Sequence, residues 1–134
     1  MAEREERPNR PPSEWYEFGD EDFLSAKILF NSRGPSSTIG MLVQQAIEKY
    51  LKGFLIGRGW ELIKTHNIEF LLAESMKHDP RFEEFLDFGR KVSELYAADR
   101  YPARNRQRLS EDETIELIET GERVIGMVTE REGS

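Results

Sequence analysis

The 134-residue chain has no cysteine and only two histidines, His66 and His78. Without thiols there is no disulfide framework, no cysteine nucleophile and no cysteine-ligated metal. Two isolated histidines make a poor ligand set, so neither a metal nor another cofactor is expected. Long apolar runs are missing too. No stretch approaches the roughly 18 residues of a membrane span. The opening residues MAEREERPNR lack the apolar core of a secretory signal, so the expected location is cytoplasmic, away from any membrane. Positive charge is in the minority, with 19 Lys and Arg against 26 Asp and Glu and a formal net charge of -7. That balance argues against broad attachment to a nucleic-acid backbone, which needs clustered cations, and leaves room only for a local basic patch. Strict strand-type alternation, a glycine-rich phosphate loop, a nucleophile elbow and a paired-histidine zinc helix are all missing.

What the sequence does contain is helical periodicity. The stretch MLVQQAIEKYLKGFLI, with Thr38 and Ile39 before it, predicts one long central helix over residues 38–56. Ile39, Leu42, Val43, Ala46, Ile47, Tyr50, Leu51 and Phe54 fall on an arc covering roughly half of its circumference. So wide an apolar stripe suits a helix wedged among several others. Gln44, Gln45, Glu48, Lys49 and Lys52 fill the opposite side, and Glu48 precedes Lys52 by one turn, an order that favours an ion pair worth roughly 0.3 kcal/mol. Met41, Leu55 and Ile56 stray into that polar side. They predict exposed apolar surface covered by a second copy of the chain, unless the last helix covers them.

One domain is expected, with residues 1–13 as a disordered tail and residues 14–131 as the folded part. Trp15, Tyr16 and Phe18 should pack across the end of the fold, with Asp20 capping a first helix and Glu21 and Asp22 placed against its dipole. Asn31 to Pro35 end that helix, Ser36, Ser37 and Thr38 supply caps for the central one, and Gly57 and Gly59 stop it. A shorter helix over 67–77 follows. Asp79 and Pro80 open a fourth carrying Phe82, Phe85, Leu86, Val92, Leu95 and Tyr96. After the loop ADRYPARNRQR, Ser110 and Glu113 form a capping box for a fifth helix, to about Glu130, burying Ile115, Ile118, Val124, Ile125 and Val128. The expected fold is all-α, an antiparallel up-and-down bundle of four long helices plus a short fifth.

Three groups of residues carry candidate chemistry. Gln44, Gln45, Glu48, Lys49 and Lys52 read either as a solvated helix face or as a polar groove. Arg58, Lys64, Thr65 and His66 lead into the third helix, whose N-terminal N–H groups would suit a phosphate; alternatively His66 simply packs or caps. Arg100, Tyr101, Arg104, Arg106 and Arg108, preceded by Arg90 and Lys91, form the one dense basic segment, where Tyr101 would stack on a base while guanidinium groups hold phosphate. The plain alternative is a solvated loop whose cations balance Glu111, Asp112 and Glu113.

The segments MLVQQAIEKYLKGFLI, KTHNIEFLL and DRYP, in that order, resemble the HEPN domain family from about Asp20 to Val128. The resemblance implies an antiparallel bundle of four long helices with a short fifth, and dimerisation. It also implies either of two roles: partner of a minimal nucleotidyltransferase in a two-component, often toxin–antitoxin, system, or metal-independent ribonuclease. Ribonuclease members carry an arginine followed, after four to six residues, by histidine. Here the nearest pair is Arg58 and His66, more widely spaced and crossing a Gly-Trp connection. The leading expectation is therefore a non-catalytic, dimeric HEPN protein. It would bind nucleotide or RNA, or present a substrate to a separate nucleotidyltransferase, through Gln45, Glu48, Lys49, Lys64, His66, Arg100 and Tyr101. The alternatives are a ribonuclease using Arg58 and His66, and a helical protein-interaction module.

Overall fold

A proline, and not an acidic cap, opens the helical part of the chain. The computed structural model describes residues 10–97 and 108–133. Helix α1 spans Pro12–Asn31, following Pro11 in extended backbone. At a first helical position proline gives up an N–H that would have no partner anyway, and its φ is already helical. Asp20 is thus not the N-cap expected from the sequence. It lies within α1 and accepts a hydrogen bond from the Tyr50 hydroxyl. Trp15, Tyr16 and Phe18 belong to the helix itself: Trp15 is fully buried, and Tyr16 stacks on Tyr50 with ring centroids 5.3 Å apart.

Helix α2, Ser36–Ile56, is the central element, and it packs against α1 most extensively and then against the later helices. Pro35 stands at its N-cap without a side-chain bond, so the expected serine and threonine caps are not made there. Ser36 Oγ instead accepts from the Leu109 N–H at 3.0 Å, tying the entry of the last helix to the start of α2. Val43, Ala46, Ile47, Leu51, Phe54 and Leu55 are fully buried. Leu55 therefore needs no second copy to cover it, and Met41 packs against the same core. The helical wheel misled because it assumed a solvated side that α2 does not have there.

Contacts between Gly53 and Trp15, Gly19 and Tyr50, and Asp22 and Lys49 show α1 and α2 running in opposite directions. Two glycines permit the close approach. A Cβ at Gly19 would stand 2.6 Å from the Tyr50 ring, and one at Gly53 would stand 2.7 Å from Tyr16 and 2.9 Å from Trp15.

Beyond α2, Gly59 takes a positive φ of 88° and the chain folds back through residues 60–67. Helix α3, Ile68–Met76, is capped by Asn67, whose side chain accepts from the Phe70 N–H. Asp79 accepts from the Arg81 N–H and opens, not an α-helix at once, but a 3-10 helix over Pro80–Phe85 that runs into α4, Leu86–Ala97. With three residues per turn, Phe82 and Phe85 fall on one side, and both are buried. Helix α5, Glu111–Gly133, begins with the predicted capping box: Ser110 N–H donates to Glu113 at 2.8 Å and Glu113 N–H to Ser110 Oγ at 3.1 Å. It buries Leu117, Ile118, Val124 and Val128. The described residues are all-helical, without a strand, and none of their helices is long and apolar enough to cross a membrane.

Candidate functional site

Three of the five polar residues expected on the solvated face of α2 are buried instead. Gln44, Glu48 and Lys52, one turn apart, make a single ridge and all three are buried; the first two meet His66 of the 60–67 connection, and Lys52 lies by Trp15 of α1. Lys52 is wholly inaccessible, with its ammonium 3.0 Å from Glu48 Oε2 and 6.0 Å from the centroid of the Trp15 ring. Glu48 in turn meets His66: the imidazole Nδ1 lies 3.1 and 3.0 Å from the two carboxylate oxygens. The Gln44 side-chain amide donates to the His66 backbone carbonyl at 3.4 Å, holding the same residue from its main chain. The His66 side chain is 43% exposed, against 7% for Glu48 and none for Lys52, so the three groups form a graded line from interior to solvent.

Electrostatics follow from this layout. Burial alone pushes the Glu48 carboxyl up, but the hydrogen bond from His66 and the charges of Lys52 and His66 outweigh it, and the group sits below its usual value. An ionised carboxylate only accepts hydrogen bonds, so it selects the imidazole form that carries a proton on Nδ1. When neutral, such a ring offers a lone pair at Nε2; when protonated, it is a cation backed by a fixed anion.

The connection is braced from several sides. Thr65 N–H donates to the Ile63 carbonyl and Asn67 N–H to Thr65 Oγ1. Trp60 Nε1 donates to Glu74 at 3.2 Å. These bonds explain why an irregular segment can hold His66 at a defined place.

The expected site residues divide among several places. Glu48 and His66 meet; Gln44 and Lys52 join them, although only Gln45, Glu48 and Lys49 of this face were expected to bind. Gln45 is exposed, and Lys49 turns to α1, where it pairs with Asp22 at 2.5 Å. Lys64 is exposed on the connection two residues before His66. Arg58 donates to the Phe54 carbonyl at 2.9 Å and lies 3.7 Å over the Phe54 ring, so it is built into the C-terminus of α2. The N–H groups expected to await a phosphate at the start of α3 are engaged: Ile68 donates to Ser93 Oγ and Phe70 to Asn67. Arg90 and Lys91 both pair with Asp87. Arg100 and Tyr101, with Arg104 and Arg106, lie outside the described residues. Among the described residues no three His, Asp or Glu side chains gather closely enough to hold a metal ion. A groove of about 520 Å³ lies elsewhere, between the end of α1, the start of α2 and the start of α5, lined by Phe30, Arg33, Ile39 and Thr114 among others.

Compared with known families, residues 12–131 match the HEPN domain. The chain belongs to the HEPN domain family. Comparisons with curated proteins and with solved structures return no match. The Glu48–His66 pair thus joins two elements of the HEPN domain, the central helix and the KTHN segment, that are adjacent in space only through the fold.

Proposed function

We propose that this HEPN protein is a non-catalytic subunit that binds nucleotide, or the RNA or substrate of a separate minimal nucleotidyltransferase, in a two-component system of the toxin–antitoxin kind. The observation that carries the reading is a half-exposed imidazole held by a buried carboxylate that a buried lysine backs, with Lys64 exposed two residues away. Such an imidazole is preorganised to meet a phosphate oxygen without first losing the freedom of a loose side chain. The reading also takes in Gln45, Arg100 and Tyr101 as nucleotide-binding residues, and the up-and-down bundle expected of the family. A homodimer belongs to it as well; exposed Leu24 and Ile28, one turn apart on α1, supply apolar surface for a second copy.

Catalysis by a ribonuclease mechanism is the weaker reading. A Glu-oriented histidine has the makings of a general base, but Arg58, the arginine such a mechanism would draw on, is held by Phe54. The test is a titration of ATP and GTP against the whole protein, followed by calorimetry or resonance shifts. Binding in the millimolar range or tighter, lost in His66→Ala, is the expected result; no response from the wild-type protein at millimolar nucleotide removes the nucleotide claim. Metal-independent RNA cleavage that disappears in His66→Ala would replace it with the ribonuclease reading.

A further inference from the structure

The proposed role of His66 leaves one group unaccounted for: a lysine with no access to solvent. Lys52 is two residues removed from the proposed ligand-facing surface, behind Glu48 and His66, sealed beneath Trp15 and touching Glu48. Burying an ammonium is unfavourable, and as a helix-stabilising ion pair an exposed Lys–Glu one turn apart would serve as well at less cost. The geometry points to a different use, that of a positioning residue: Lys52 fixes the ionisation of Glu48 and its aim, and through Glu48 sets the tautomer and proton affinity of His66. This inference rests on the reading of His66 as the ligand-facing group, but its test does not need a ligand.

The chain of causes is short. Glu48 is buried and would lean towards its neutral form if left alone; the ammonium on one side keeps it a carboxylate, and the imidazole on the other completes its hydrogen bonding. A carboxylate so held accepts from Nδ1–H and leaves Nε2 as the ring nitrogen without the proton. The neighbouring cation has a second effect. By partly cancelling the charge of Glu48 and repelling a second positive charge, Lys52 restrains the protonation of His66, which would otherwise form a simple ion pair with Glu48. Along the same part of the chain, Lys64 stands exposed on the connection and Glu69 lies in the first turn of α3. Gln44, which holds the His66 carbonyl, is neutral.

The experiment is a pH titration of the imidazole signals in the full chain by nitrogen–proton correlation spectroscopy. Only His66 and His78 contribute, and His78, edge-on to Phe54, serves as the internal control. In the wild-type protein at about pH 9, His66 should carry its proton on Nδ1. Lys52→Met should raise the His66 midpoint by about one unit, Glu48→Gln should lower it by about the same amount, and Lys52→Arg should restore the wild-type value; His78 should not move in any of them. A wild-type His66 protonated on Nε2, or a midpoint unmoved by Lys52→Met or by Glu48→Gln, would overturn the inference. If Lys52→Met fails to fold, Lys52→Gln takes its place in the same comparison. Failure of the nucleotide reading is separate: a protein silent to ATP and GTP but with these shifts intact keeps the Lys52 role and loses the ligand.

Discussion

Adding one carbon atom should have opposite effects at two glycines of this protein. At Gly53, on α2, a Cβ would lie 2.7 Å from Tyr16 Cε1, 2.9 Å from Trp15 Cβ and 3.1 Å from Tyr16 Cδ1. The Trp15 atom is next to the backbone and Trp15 is fully buried, so relief requires α1 to move bodily away from α2. Overpacking of this kind costs about 1–3 kcal/mol, against which alanine regains about 1 kcal/mol of helix propensity. The net expectation for Gly53→Ala is a loss of about 0–2 kcal/mol. At Gly126, on α5, a Cβ meets nothing within 4 Å, so Gly126→Ala should keep the propensity gain of about 1 kcal/mol. Thermal and urea unfolding followed by circular dichroism measure both. At roughly 3–6 °C per kcal/mol for a domain of this size, the two variants should separate by about 10 °C. Equal stability of the two would refute the close α1–α2 approach, and with it the cover that Trp15 places over Lys52.

Two further outcomes follow from burial and charge. Leu55→Ala should lower stability by about 2–5 kcal/mol, because the side chain is wholly enclosed by its own chain; sedimentation alongside unfolding checks this, since a variant that changes oligomeric state at unchanged stability would return Leu55 to an exposed interface. Acid should weaken the fold in part through Glu48, whose carboxyl is held below its usual 4.5. A depressed folded value gives stability that is present above pH 4.5 and fades as pH falls through the folded value. The urea midpoint of the wild-type protein should therefore drop more steeply below about pH 4 than that of Glu48→Gln, and parallel acid profiles would contradict the assignment.

Much of the fold was legible because α2 and α5 announce themselves by long apolar periodicity and by caps written in single residues. Asp79 and the Ser110–Glu113 box act at the helix starts where their side chains suggested, while the cap that Asn67 makes was not read from the sequence. The start of α1 was misread since Asp20 is as good a cap by composition as Pro12 is a first helical residue, and only packing decides: Trp15 and Tyr16 gain a helix partner in α2 when the helix begins earlier. The 3-10 opening of α4 was hidden for a similar reason, as Phe82 and Phe85 satisfy either helical period.

The site was half legible, and the missing half has one physical cause. A polar residue on a helical wheel is assigned to water by default, yet a helix with an apolar arc half its circumference wide is already surrounded, and its remaining side is narrow. Chain that returns across that side, as residues 60–67 do, encloses whatever polar residues lie there. Gln44, Glu48 and Lys52 recur at a one-turn interval on the most enclosed helix, and the charges among them cannot be buried singly; each must find a partner of opposite sign or a hydrogen bond. Lys52 finds Glu48, and Glu48 has a second oxygen that one lysine leaves unsatisfied. The residue that satisfies it must come from outside α2, and the segment that crosses α2 supplies a histidine. The burial that makes α2 the centre of the fold thus makes its polar ridge the place where an imidazole is held, so the same packing that stabilises the domain also builds the candidate site.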